Sequence, residues 1–203
     1  MKSARFWATM ALAGVVLFLA SFALRPLDEP VGRAVAGAPG LVLLAGGLAF
    51  LGGVDFVAPA LVAGVLTLFI LRRWWGAVRL VGSIAVAEAA ARGLKLLFAR
   101  PRPEYMLVET GGFSFPSGHA TVGAAFAMLL VWFAGHYVTG RRFVVAVLAF
   151  ALAWTVSMAA SRMVLGVHYL SDVVAGVGVG MACAGGFIGL TLVLQRRFSA
   201  PPP

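Results

Sequence analysis

Apolar residues run through the chain in long blocks, and polar residues are confined to short clusters between them. A helix of about 20 apolar residues crosses a hydrocarbon layer, and six blocks fit that role: Phe6 to Leu24, Phe56 to Leu71, Ala77 to Phe98, His119 to Val138, Phe143 to Ser161 and Tyr169 to Leu194. A further stretch, Leu41 to Gly53, is glycine-rich and short for a crossing, so it is expected to lie in the interface or to re-enter from the outer side. The pattern predicts a single all-α bundle of six transmembrane helices over residues 1–203.

Composition agrees, because 62% of residues are hydrophobic and 11% charged, whereas a soluble domain carries about 25% charged residues to cover its surface. The net charge of +9 does not point to nucleic acid, which would need basic residues interleaved with exposed aromatics on one face. The basic residues sit at block ends instead. Lys2 and Arg5, then Arg72, Arg73 and Arg79, then Arg141 and Arg142, then Arg196 and Arg197 recur at every second boundary, and the positive-inside rule assigns those boundaries to the cytoplasm. Six spans therefore place both termini in the cytoplasm of a multi-pass cell-membrane protein. Trp7, Trp74 and Trp75 fit an aromatic belt at the inner boundary, and Trp154 fits simple packing.

The basic start and first block resemble a secretory signal but lack a small-residue cleavage site, so they read as an uncleaved span. Cys183 is the only cysteine and offers neither a disulfide nor a metal cluster. Gly176 with Gly180 and Gly185 with Gly189 allow close helix approach, assigned to packing within the chain ahead of a dimer contact; the oligomeric state is not legible. The tail from Ser199 to Pro203 carries no readable role.

Away from those boundaries, polar residues gather in three clusters at the predicted outer ends, where ionisable groups are costly and usually functional. Lys95 to Arg102 crowds three cations beside Pro101 and Pro103, which end the helix; a headgroup-binding basic patch is the alternative reading. Pro116-Ser117-Gly118-His119 precedes a long apolar block, so Ser117 suits an N-cap, Gly118 admits an anion to the backbone, and the free N–H groups form a phosphate seat beside an imidazole. His168 and Asp172 lie four apart, sharing one helix face, so the carboxylate can fix the tautomer and leave the other ring nitrogen free. Taken singly, each cluster has a structural reading. Together they supply what phosphoryl transfer needs: cations around the oxygens, a nucleophile and an acid.

These residues resemble the type-2 phosphatidic acid phosphatase superfamily, whose signature is K-x6-R-P, P-S-G-H and S-R-x5-H-x3-D. The chain matches it with Lys95 and Arg102-Pro103, Pro116-Ser117-Gly118-His119, and Ser161-Arg162 with His168 and Asp172, over residues 95–172. The resemblance implies that His168 is the nucleophile, oriented by Asp172, and that His119 protonates the leaving group. It also implies that Lys95, Arg102 and Arg162 hold the phosphate with Ser117 and Gly118, and that no metal or other cofactor takes part. The partners it implies are membrane lipids and a lipid phosphate or diphosphate substrate: a polyprenyl diphosphate such as the undecaprenyl carrier, or phosphatidylglycerophosphate or phosphatidic acid. Alternatives are a lipid phosphotransferase with the same phosphohistidine chemistry and a non-catalytic lipid-binding or transport protein. Soluble vanadate haloperoxidases of the same superfamily are set aside by the six spans. Arg100 lies beyond the signature and is expected to reach a second phosphate of a diphosphate substrate or to attract headgroups. Glu88 and Arg92 are expected to form a structural ion pair; Asp28, Glu29 and Asp55 have no assigned role.

Overall fold

The computed structural model describes residues 3–137 and 139–199, so Lys2, Val138 at the expected end of the fourth span, and the tail beyond Ser199 lie outside it. Among the described residues the structure is helical, without strands: α1 (Ala4–Ser21), α2 (Asp28–Val35), α3 (Val42–Leu51), α4 (Val54–Ile70), α5 (Trp74–Phe98), α6 (Gly118–Tyr137), α7 (Arg141–Val164) and α8 (Leu170–Ser199). A 3₁₀ segment, Phe22–Leu27, joins α1 to α2.

Local chemistry sets the ends. Ser3 caps α1 by accepting the Phe6 N–H at 3.3 Å. α5 stops where Ala99 turns left-handed at φ 44°, and Pro101 and Pro103 prevent its resumption. The six long helices fall on the six expected blocks, with α8 running past Leu194 to Ser199.

Among the described residues, five stretches are long and apolar enough to cross a membrane: Ala4–Val35, Val42–Ile70, Gly118–Tyr137, Arg141–Val164 and Leu170–Phe198. α5 departs from the expected series. Its 25 residues span about 37 Å at 1.5 Å each, but Arg79, Glu88, Arg92 and Lys95 deprive it of an apolar window. Leu41 to Gly53 contributes the short helix α3, whose Ala45 and Ala49 pack on Val164, Leu165 and Val167 at the α7–α8 turn.

α8 is the hub, with α1, α5 and α6 packed against it. Close approach on two sides requires its glycines. A Cβ at Gly178 would lie 2.6 Å from the Phe18 nitrogen and 2.7 Å from the Gly14 carbonyl in α1, and one at Gly180 would collide with the Thr121 carbonyl in α6. Packing within the chain therefore uses both small-residue patterns, since Gly185 and Gly189 lie against Trp7. Trp7 does not join an interfacial belt as expected; its carbonyl and Cβ lie against those glycines, and the residue is fully buried in the core with Trp132, Leu129 and Ile188. Trp74 is exposed and Trp75 half-buried, while Trp154 packs between Phe126 and Phe150.

Candidate active site

The end of α5 and the starts of α6 and α8 meet at one end of the bundle, and backbone hydrogen bonds tie their loops together. Ser117 N–H donates to the Asp172 carbonyl at 2.9 Å, Ser114 N–H to the Arg100 carbonyl at 2.8 Å, and Leu107 N–H to the Leu165 carbonyl at 3.1 Å. All three polar clusters of the sequence are thereby brought to one place.

His168 sits in the α7–α8 turn and is 3% exposed, while Asp172, in the first turn of α8, is fully buried. Nδ1 of the imidazole lies 3.4 Å from Asp172 Oδ2, an ion-pair separation whose alignment falls short of a hydrogen bond. On the other side, Arg102 Nη1 stands 3.3 Å from Nε2. A guanidinium only donates, so Nε2 carries the lone pair and Nδ1 the proton facing Asp172. Burial pushes the imidazole down to about 4, outweighing the opposing influence of the Asp172 carboxylate, with Arg102 and Lys95 lowering it further. His168 is therefore neutral near pH 7.

Arg102 is anchored by donating to the carbonyls of Gly112 (3.1 Å), Val167 (2.9 Å) and Gly111 (3.0 Å). Lys95 donates from the last turn of α5 to the Phe113 carbonyl at 2.6 Å. Arg162, near the end of α7 and 6% exposed, lies within charge–charge range of Lys95, Arg102 and His119, and its Nε–H has no partner. The Ser117 hydroxyl is fully buried and likewise unpartnered. It was expected to cap α6 with its side chain. Instead its carbonyl accepts the Thr121 N–H at 3.0 Å and the Thr121 hydroxyl at 2.9 Å, which leaves the Ser117 hydroxyl open. A Cβ at Gly118 would meet nothing within 4 Å, so an anion has room against the free N–H groups of the helix start.

His119, in the first turn of α6, holds its Nε2 3.1 Å from the Ala49 carbonyl of α3. A carbonyl only accepts, so Nε2 bears the proton. Gly52 leaves space for the ring, since a Cβ there would fall 2.9 Å from His119 Cδ2. The Leu41 to Gly53 stretch thus orients the second histidine, a role its apolar sequence does not reveal.

Arg100 does not project toward a second phosphate, because carboxylates already hold it. Its Nη1 donates to Ser171 Oγ (2.7 Å) and Asp172 Oδ1 (2.9 Å), its Nη2 to Asp28 Oδ2 (2.8 Å), and its guanidinium stacks 4.1 Å from the Tyr169 ring centroid. Burial works to lower its pKa, yet the hydrogen bond to Asp28 and the charges of Asp172 and Asp28 raise it overall. Asp28 is 2% exposed and also accepts the Ser171 N–H (2.8 Å) and hydroxyl (2.6 Å). Sequence reasoning missed this second carboxylate behind the His–Asp pair; the available signal was its rarity, as one of only 7 acidic residues.

Glu88 and Arg92 pair at 2.8 Å as expected. With Gly118 and His119 they line a cavity of about 410 Å³, which shares Gly52, Val57, Leu61, Ile84 and Val122 with an apolar cavity of about 360 Å³ running along α4, α5 and α6. Asp55 is exposed in the first turn of α4 and takes no part. Among the described residues, no three His, Cys, Asp or Glu side chains are grouped to hold a metal ion.

Fold and site together define a multi-pass helical membrane protein with a cluster of cationic side chains gathered around two histidines. The chain belongs to the PAP2 superfamily, whose family model matches residues 76–196. It is 28% identical over 165 residues to phosphatidylglycerophosphatase B of Bacillus subtilis strain 168, covering 78% of this chain and 80% of that one. It is 40% identical over 154 residues to decaprenylphosphoryl-5-phosphoribose phosphatase of Mycolicibacterium smegmatis, covering 72% and 77%. The crystal structure of the transmembrane PAP2-type phosphatidylglycerolphosphate phosphatase from Bacillus subtilis superposes with a TM-score of 0.77 over 97% of this chain and 98% of that one, at 24% identity. That of Aquifex aeolicus LpxE superposes with a TM-score of 0.64 over 81% and 94%, at 25% identity. The protein is a PAP2-type lipid phosphatase.

Proposed function

We propose that the chain hydrolyses a polyprenyl-linked or phospholipid phosphate or diphosphate through a phosphohistidine on His168, without a metal ion. The observation that carries this reading is the pair of buried, unpartnered donors, Ser117 Oγ–H and Arg162 Nε–H, beside the neutral His168. Buried donors are normally satisfied, and a phosphate oxygen satisfies them. The apolar cavity continuing from His119 supports a lipid tail, and the polyprenyl and phospholipid chemistry in the relatives' names supports either chain type.

In this mechanism Lys95, Arg102, Arg162, Ser117 and the N–H groups from Gly118 grip the phosphoryl oxygens. His168 Nε2 attacks phosphorus as the bond to the lipid oxygen breaks, and protonated His119 gives its proton to that oxygen. With Nε2 of His119 engaged by Ala49, Nδ1 is the donor. Asp172 stabilises the positive charge that develops on His168. Water then attacks phosphorus, His119 takes its proton, the P–N bond breaks and inorganic phosphate leaves. We further propose six spans, α1 and α4 to α8, with both termini cytoplasmic and the site facing the other side of the cell membrane.

A phosphate-release screen of purified protein against decaprenylphosphoryl-5-phosphoribose, undecaprenyl diphosphate, phosphatidylglycerophosphate and phosphatidic acid identifies the substrate. Asp172→Asn is expected to slow the best substrate on the order of 10³- to 10⁴-fold by losing the tautomer, and His168→Ala to abolish turnover. Rapid quench under alkaline conditions should trap label on the wild-type protein. Absence of label, with substantial release by folded His168→Ala, would replace the nucleophile with water; label passing to an acceptor lipid would establish phosphotransfer.

A further inference from the structure

A second cationic cavity, of about 250 Å³, lies at the opposite end of the bundle, where α4 turns into α5 and α6 and α8 finish. Arg79 and Lys95 are separated by about 24 Å along α5 at 1.5 Å per residue, so this cavity is distinct from the histidine site. Arg72, Arg73, Arg79 and His136 line it with Trp132 and Tyr137.

Arg79 is the feature that calls for a ligand. It is 2% exposed, and all its hydrogen bonds go to neutral groups: Nε to Thr191 Oγ1 at 3.0 Å, Nη2 to Gln195 Oε1 at 2.7 Å and Nη1 to the Trp75 carbonyl at 3.4 Å. Its guanidinium stands 4.7 Å from the Trp132 ring centroid, and no carboxylate among the described residues pairs with it. Those contacts engage each of its three nitrogens once, leaving two N–H groups and the charge unmatched, and a buried cation without an anion is costly. Orientation in the membrane needs basic residues only at the solvated boundary; it does not need one inside the bundle.

The surroundings add positive charge. Arg72 adopts a left-handed backbone at φ 53°, a conformation disfavoured for a side chain of this size, in the turn that sets it beside Arg73. Arg73 stacks 4.2 Å from the Tyr137 ring centroid, and no acidic side chain among the described residues lines the cavity. The volume equals about eight waters of bulk liquid, room for a phosphate group with part of its hydration. The start of α5, at Trp74, also contributes N–H groups without intrahelical partners. Basic pockets between membrane helices bind acidic lipid headgroups.

We infer that this cavity binds a phosphate-bearing anion, the headgroup of an acidic phospholipid or a free phosphate, at the membrane boundary opposite the histidine site. The test is native mass spectrometry of the full chain in detergent, titrated separately with phosphatidylglycerol, net-neutral phosphatidylcholine and inorganic phosphate. Arg72→Gln/Arg73→Gln changes two exposed cavity arginines, while Arg141→Gln/Arg142→Gln removes two exposed arginines of the same end that do not line the cavity. The expected result is preferential retention of phosphatidylglycerol over phosphatidylcholine, weakened about 30-fold in the first double variant and little changed in the second. The same variant pattern seen with inorganic phosphate alone would identify a soluble anion as the occupant. Equal weakening in both double variants, or no dependence on either pair, would overturn the site and leave Arg79 as a clasp between α5 and α8. The measurement does not involve turnover, so it stands apart from the phosphatase mechanism.

Discussion

Asp28 reaches His168 through two intermediaries, Arg100 and Asp172. Arg100 fixes Asp172 Oδ1 and divides its own charge between two carboxylates, which leaves Oδ2 to face the imidazole. Without the charge on Asp28, Arg100 draws more strongly on Asp172, and less of that carboxylate's field remains to hold a proton on His168. Asp28→Asn is therefore expected to lower kcat on the order of tenfold, the equivalent of about 1.4 kcal/mol, with KM nearly unchanged. Because Asp172 raises the His168 pKa and the proposed mechanism requires a neutral His168 to attack, the acid limb of the kcat–pH profile should move to lower pH. Steady-state kinetics across pH decide it: a fall in folded protein with an unaltered pH profile would leave Asp28 a structural role only. The signature side chains were legible because polar residues stand out in so apolar a chain. Asp28 and Ala49 were not, because they lie 72 and 70 residues from Arg100 and His119, and no local spacing rule joins groups so far apart.

Helix positions were readable for a different reason, since block length and proline placement are one-dimensional properties. What the blocks concealed was which face of each helix is filled. Trp7 looks interfacial by position and is core by packing, because glycines on a distant helix let the α1 backbone approach closely and the residue joins the core with Trp132 and Ile188. The same close packing predicts where α8 tolerates no side chain. Gly178→Val should cost about 1–3 kcal/mol through overpacking against the α1 backbone, whereas Gly93→Ala, where a Cβ meets nothing within 4 Å, should be neutral or stabilising. Thermal unfolding in detergent distinguishes the two; equal melting temperatures would mean that α1 separates from α8 without cost.

Across the whole molecule, the histidine site and the Arg79 cavity occupy opposite ends of α5, α6 and α8. The proposed topology, with both termini cytoplasmic, has the loop carrying Gly111 face outward. In a Cys183→Ser background, Gly111→Cys is expected to react with an impermeant maleimide in intact cells, and Ser3→Cys only after permeabilisation. Labelling at position 111 only after permeabilisation would invert the orientation.

Within the histidine site, Lys95, Arg100, Arg102 and Arg162 stand against Asp28 and Asp172. Before any histidine is protonated, the site holds two uncompensated positive charges, and a phosphate carrying about two negative charges neutralises them. Inorganic phosphate leaving the site bears nearly the charge of the headgroup that entered it. Electrostatic attraction therefore cannot distinguish product from substrate, and the pocket is inherently open to product inhibition. Preference for substrate must come from the hydrocarbon chain, which tethers the headgroup to the bilayer beside the site, while the released phosphate has no such tether and is lost to bulk water.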